Sequence, residues 1–167
     1  MREIEVEKVT LNIGVGKGGQ ELDNAKTLLT MLSGCTAIGT KARVRNPAFK
    51  IKKGDEIGVK TTLRGKNAVD FLRKALTVRD NAVQSKSFDR NGNFSFGVAE
   101  YIEFPGAKYD PKIGTIGFDV CVTLKRKGFR VSRRKRGNAR IGKGHRLTTE
   151  EGIAFAREKL GVDVQQG

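Results

Sequence analysis

Apolar and polar positions alternate in several short runs along this chain. In "VTLNIG", Val9, Leu11 and Ile13 alternate with Thr10 and Asn12, the period-two pattern of a half-buried strand. Ile4 and Val6 stand in the opposite phase, so a bulge or break is expected near Glu7-Lys8. A glycine-rich turn follows. Leu22, Ala25, Leu28, Leu29 and Leu32 then recur at helical spacing, with Glu21 and Asp23 in the first turn and Gly34 as the stop. A second strand is expected with Thr40, Ala42 and Val44 on one side and Lys41, Arg43 and Arg45 on the other, before a loop, "NPAFKIKKGD". In "IGVKTTLR", Ile57, Val59, Thr61 and Leu63 share one face; Lys60, Thr62 and Arg64 share the opposite one.

A second helix is expected from near Asn67, which can cap it, with Ala68 or Val69, Phe71, Leu72, Ala75 and Leu76 turned inward. Asn91-Gly92, flanked by Phe88, Phe94 and Phe96, predicts a hairpin. "EYIEFPG" reads as a short strand ended by Pro105. "IGFDVCVTL" is the clearest strand, with Ile116, Phe118, Val120, Val122 and Leu124 in strict alternation. Thr148 and Glu151 form a capping box opening a last helix, with Ile153, Ala156 and Leu160 on one face and Gly161 as its stop. These elements predict an α+β two-layer domain: a mostly antiparallel sheet with helices packed on one face, of RRM-like or ferredoxin-like build. A single domain spanning 1–167 is expected, with basic loops at about 41–54 and 125–146.

Composition narrows the chemistry. The chain carries 33 Lys and Arg against 18 Asp and Glu, a net charge of +15, so its partner is expected to be anionic. No apolar run is long enough to cross a bilayer, and "MREIEVEK" lacks the apolar centre of a signal peptide. Cys35, Cys121 and the sole histidine, His145, cannot complete a four-ligand zinc site, so no metal is expected and the cysteines read as reduced, in a cytoplasmic protein.

One motif raises the alternative of a nucleotide-binding enzyme. Gly14-Val15-Gly16-Lys17-Gly18-Gly19 satisfies G-x-G-x-x-G between a strand and a helix. A dinucleotide site also needs an acid ~20 residues on, for the ribose. No Asp or Glu occurs between Asp23 and Asp55; Lys41, Arg43 and Arg45 stand there instead. A P-loop fails too, because Gln20 occupies the lysine position. The glycines therefore read as a tight turn, and no cofactor is expected.

The basic segments say more. From Lys125 to Arg146 there are eleven Lys or Arg and no acid; from Lys41 to Lys66 there are nine, against Asp55 and Glu56. Eleven unpaired cations repel one another and would stay disordered until a polyphosphate ordered them. The polar sheet face would show Thr10, Asn12, Lys41, Arg43, Lys60, Thr62 and Arg64, with no aromatic to stack unpaired bases. Such a face suits the shallow groove of folded RNA, where Thr and Asn reach 2′-hydroxyls and phosphates. A basic membrane-surface role is disfavoured, as no helix has a cationic amphipathic face.

The stretches Val6–Gly16 (VEKVTLNIGVG), Ile57–Gly65 (IGVKTTLRG), Ser87–Gly97 (SFDRNGNFSFG) and Phe104–Leu124 (FPGAKYDPKIGTIGFDVCVTL) resemble, in order, the ribosomal protein L5 family of the large subunit. "KGFRVSRRKRGNARIGKGHR" followed by "LTTEEGIAFAREKL" is similar to its archaeal type. The resemblance implies a non-enzymatic protein that binds 5S rRNA and anchors it in the central protuberance, beside other proteins of that region. The rRNA contacts would fall on Thr10, Asn12, Lys17, Lys41, Lys60, Thr62 and Arg64. A loop at Arg43 to Lys53, with Arg45, Asn46, Phe49, Lys50 and Lys52, would reach P-site tRNA, and small-subunit protein S13 would be met across the subunit interface. Arg130, Arg133, Arg134, Lys135, Arg136, Arg140, Lys143, His145 and Arg146 are expected to reach further RNA, on 23S rRNA or the tRNA side. The chain departs from the family at Gly34-Cys35-Thr36-Ala37, where many members carry Gly-Gln-Lys-Pro, and at Pro47.

Overall fold

A computed structural model describes residues 1–165. Its elements run β1 (Ile4–Gly14), α1 (Gln20–Ser33), β2 (Ile38–Lys41), β3 (Glu56–Leu63), α2 (Gly65–Thr77), β4 (Ala82–Gln84), β5 (Phe94–Val98), β6 (Phe118–Arg126), α3 (Thr149–Leu160) and β7 (Asp163–Gln165). Five strands form one mostly antiparallel sheet in the order β2-β3-β1-β6-β5; with three helices this is the expected α+β fold. The β4–β7 pair is a separate parallel ribbon with Val83 opposite Val164, which the residue pattern did not announce. The chain divides into two compact units, one built from Met1–Val9, Arg64–Phe96 and the chain from Cys121 on, the other from Thr10–Leu63 and Gly97–Val120.

In the second unit, Leu11, Ile13, Val59 and Leu63 are buried together with Leu22, Ala25, Leu28 and Leu29 of α1. α1 ends as expected: Gly34 takes the left-handed conformation at φ 65° and its N–H donates to Thr30 O. Gly58 is needed for another reason. A Cβ there would stand 2.8 Å from Ile13 O and 3.0 Å from Thr40 Oγ1, so only glycine lets the backbones approach. The "EYIEFPG" stretch is not a strand; Tyr101–Glu103 is a 3₁₀ turn, with Phe104 N–H closing onto Tyr101 O and Tyr101 buried.

In the first unit, α2 buries Ala68, Phe71, Leu72, Ala75 and Leu76. It starts at Gly65, so Asn67 lies inside the helix and does not cap it, and its N-cap Arg64 gives no side-chain cap. The hairpin turn at Asn91-Gly92 is present. The Asp89 carboxylate accepts from Asn91 N–H and Asn93 N–H, both at 2.8 Å, and Phe88 bridges Phe94 with ring centroids 5.0 Å apart. α3 carries the expected capping box: Thr148 Oγ1 accepts from Glu151 N–H and Glu151 Oε2 accepts from Thr148 N–H.

β1 is one continuous strand of 11 residues, so the chain does not break near Glu7-Lys8. The phase conflict resolves differently. Glu7 occupies the inward phase of Val9, Leu11 and Ile13 and is itself buried, so Ile4 and Val6 fall on the side of Thr10 and Asn12.

Candidate nucleic-acid interface

The strand face expected to meet RNA can be followed residue by residue in the second unit. Thr10 and Asn12 of β1 and Thr62 of β3 are half-buried, Lys60 is exposed, and the alternate positions are buried. The buried hydroxyl of Thr61 is satisfied by donating to Thr36 O at 3.2 Å. None of the four outward residues is aromatic. β2 contributes other residues than expected. Ile38, 62% exposed, stands directly opposite Lys60, and Thr40 opposite Gly58; a register shift then puts Lys41 opposite Glu56. The strand ends at Lys41, because Ala42 turns inward and exchanges backbone hydrogen bonds with Asp55 and Gly54. Arg43, Val44 and Arg45 are therefore exposed loop residues, and the row of three cations on one strand face does not form. Arg64, in the first unit, is exposed at the start of α2.

The glycine turn shows why its motif resembles a phosphate loop without its geometry. The N–H groups of Val15 and Gly16 both donate to Ile57 O, at 3.0 and 2.7 Å. Two of the amides that would cradle a pyrophosphate are thus committed to β3. Lys17 and Gly18 line a cleft of about 410 Å³ together with Phe49, Lys50, Asp55 and Glu56. The structure thus brings Lys17, expected on rRNA, beside two residues expected on tRNA.

The loop after β2 holds itself by its backbone. Asn46 and Ile51 exchange N–H···O bonds of 2.9 and 3.0 Å, and Lys50, at φ 55°, donates its N–H to Pro47 O. Asn46 Oδ1 accepts from Ala48 N–H, and Asp55 Oδ2 from Lys52 N–H. Phe49 at its tip is 71% exposed. Among the described residues, no acid pairs with Arg43, Arg45, Lys50 or Lys52.

The segment 125–146, in the first unit, behaves differently from its expected disorder. It folds through two 3₁₀ turns, Phe129–Ser132 and Lys143–His145, and several of its cations meet acids. Arg126, only 7% exposed, donates to Glu151 Oε1 at 2.6 Å, so one carboxylate both caps α3 and pairs with β6. Lys127 lies 2.9 Å from Glu3 and 3.5 Å from Glu5. Arg133 grips Glu7 with both terminal nitrogens, Nη2 reaching Oε2 at 2.9 Å. This hydrogen-bonded guanidinium holds the Glu7 carboxyl below the usual carboxylate range despite burial. Lys127 lowers Glu3 in the same way, and its own ammonium is pushed up in return.

His145 contributes structure. Its Nε2 donates to Lys127 O at 2.9 Å and its ring stands edge-on to Phe129, centroids 5.8 Å apart. Arg134 Nε donates to Gly137 O and Arg146 Nε to Ile141 O. Arg130, Lys135, Arg136, Arg140 and Lys143 are exposed. The acids opposite these cations were not among the expected site residues. Their signal was present: Glu3, Glu5 and Glu7 recur at period two in register with the buried Val9.

Comparison with known proteins decides the family. Residues 1–52 match the family model described as ribosomal protein L5, and residues 56–155 match the model of that ribosomal family's C-terminus. The chain belongs to the ribosomal protein L5 family. It is 48% identical over 165 residues to the large ribosomal subunit protein uL5 of Nanoarchaeum equitans, covering 98% of this chain and 97% of that one. It is 46% identical over 168 residues to that of Sulfurisphaera tokodaii (100% and 95%) and 47% over 165 residues to that of Archaeoglobus fulgidus (99% and 92%). The L5 family consists of structural proteins of the ribosome, so the chain is not an enzyme, and the glycine turn is a strand-to-helix connection.

Proposed function

We propose that this protein is a constituent of the large ribosomal subunit, in the cytoplasm, that binds 5S rRNA and anchors it in the central protuberance. The observation that carries the reading is the outward row Thr10, Asn12, Lys60 and Thr62: short hydrogen-bonding groups and a cation on a rigid strand surface without an aromatic. Such a surface recognises the backbone and 2′-hydroxyls of folded RNA. Lys17 and Lys41 add phosphate contacts beside it, and Arg64 adds another from the first unit. Loop 43–53 reaches P-site tRNA, with Phe49 available to stack on a base and Arg43, Arg45, Lys50 and Lys52 beside it to meet phosphate. Asn46 shapes that loop. The same protein meets small-subunit protein S13 across the subunit interface.

The test is a binding titration of 5S rRNA against an unrelated structured RNA of equal length, at ~0.15 M salt where loose electrostatic attraction is screened. A clear preference for 5S rRNA is expected; equal affinities would overturn the reading. Deleting residues 47–53 is expected to spare 5S binding and to lower tRNA affinity.

A further inference from the structure

The eleven cations between Lys125 and Arg146 look equivalent in the sequence, yet their surroundings sort them into three groups. Arg126, Lys127 and Arg133 are engaged by Glu151, by Glu3 and Glu5, and by Glu7. Arg134 and Arg146 donate to carbonyl oxygens of the segment itself. Lys125, Arg130, Lys135, Arg136, Arg140 and Lys143 have no side-chain hydrogen-bonding or ion-pair partner among the described residues.

Glu7 makes the sorting more than incidental. A carboxylate in the buried phase of a strand is costly unless it is paired and hydrogen-bonded. Glu7 is 8% exposed, and the partner that satisfies it is Arg133, the middle of the basic segment. Lys127 on Glu3 and Glu5 fixes the start of the segment, and His145 on Lys127 O fixes its end. Internal bonds such as Val131 N–H to Gly128 O and Ala139 N–H to Val131 O then close the turns.

We infer that the acidic row Glu3, Glu5 and Glu7, which leads into and along β1, takes the place of phosphates for part of the basic segment, folding it before any RNA is bound and leaving Arg130, Lys135, Arg136, Arg140 and Lys143 as a preformed cationic surface for a phosphodiester backbone. Arg126, Lys127 and Arg133 build that surface and do not contact RNA. The choice of an RNA partner rests on the function proposed above; the internal folding does not.

Hydrogen exchange on the full-length free protein tests the folding. The amides of Val131, Arg133, Arg134 and Ala139 are expected to exchange at least ~10-fold more slowly than in an unstructured chain. That protection is expected to vanish in Glu3→Gln/Glu5→Gln/Glu7→Gln while β6 amides stay protected. If the triple variant fails to fold, Glu3→Gln/Glu5→Gln, which changes only the outer acids, is expected to speed exchange at His145 and Arg146. Unprotected amides in the wild type, or protection unaltered in the acid variants, would overturn the inference. The RNA arm uses a defined RNA duplex and reads the dependence of log K on log salt. Arg136→Gln/Arg140→Gln/Lys143→Gln is expected to lower the slope by about 3 with exchange unchanged. Arg133→Gln is expected to leave the slope alone. A slope reduced by Arg133→Gln, or unmoved by the outer triple, would contradict the division of roles. Failure of the duplex to bind at all, with the exchange result intact, would count against the RNA reading alone.

Discussion

Two basic stretches, 41–54 and 125–146, look alike as sequence, both dense in Lys and Arg and broken by glycine. The structure gives them opposite constructions. Loop 43–53 closes through backbone hydrogen bonds and the Asn46 and Asp55 side chains, none of which uses the side chain of a cation or of Phe49. Segment 125–146 is tied down through its side chains as well, onto carboxylates of Glu3, β1 and α3. A cation's role is therefore set by whether an acid lies opposite it. Substitution in the first stretch should alter binding and spare stability; in the second, the inner cations should do the reverse.

The largest expected difference is in stability. Arg133→Ala strands the Glu7 carboxylate, whose side chain is 7% exposed, and should destabilise the protein by about 2 kcal/mol in chemical denaturation. The figure lies below that for a fully buried pair because the Arg133 side chain is 59% exposed. Arg45→Ala should change stability by less than ~0.5 kcal/mol. If both variants lose the same stability, the contrast between the stretches is wrong.

Next comes binding. Phe49→Ala should weaken tRNA affinity by about 1–2 kcal/mol, roughly 5- to 30-fold, if the exposed ring stacks on a base. Its denaturation midpoint should not move. A Phe49→Ala protein with unchanged tRNA affinity would remove stacking from the account of the loop.

A smaller effect is expected with pH. The Glu7 carboxyl titrates below its unfolded value because Arg133 favours its charged form. The pair's contribution is therefore complete above the unfolded value of ~4.3 and is lost as pH falls through the lower folded value. The stability difference between wild type and Glu7→Gln should be constant from neutral pH down to about 4.3 and shrink below it. A difference that grows on acidification has the wrong sign for this pair.

Much of the fold was legible because burial follows period. Leu11 and Ile13, the α1 stripe and Val120-Val122-Leu124 each mark their element by spacing alone. The misses have physical causes. Glu7 sits in a core phase because a partner over a hundred residues away neutralises it, and a local pattern cannot show that partner. β2 stops at Lys41 because Ala42 bonds to Asp55 and Gly54, so the alternation of cations runs on past the strand that would have used it. β4 and β7 are three residues each and pair in parallel, far apart in the chain and too short to print a period. At the proposed interface, the outward phase of Lys60 and Thr62 was readable; Ile38 opposite Lys60 was not, since register is a property of two strands.

In the function proposed above, a polar strand face, and not net charge, selects the RNA. The most direct measurement is the ratio of affinities for 5S rRNA and an unrelated structured RNA of equal length, for wild type and for Asn12→Ala/Thr62→Asp, at ~0.15 M salt. A ratio well above one is expected for wild type, falling by at least roughly tenfold in the double variant, while Glu158→Ala leaves it unchanged. A ratio that survives the double variant intact would contradict that reading.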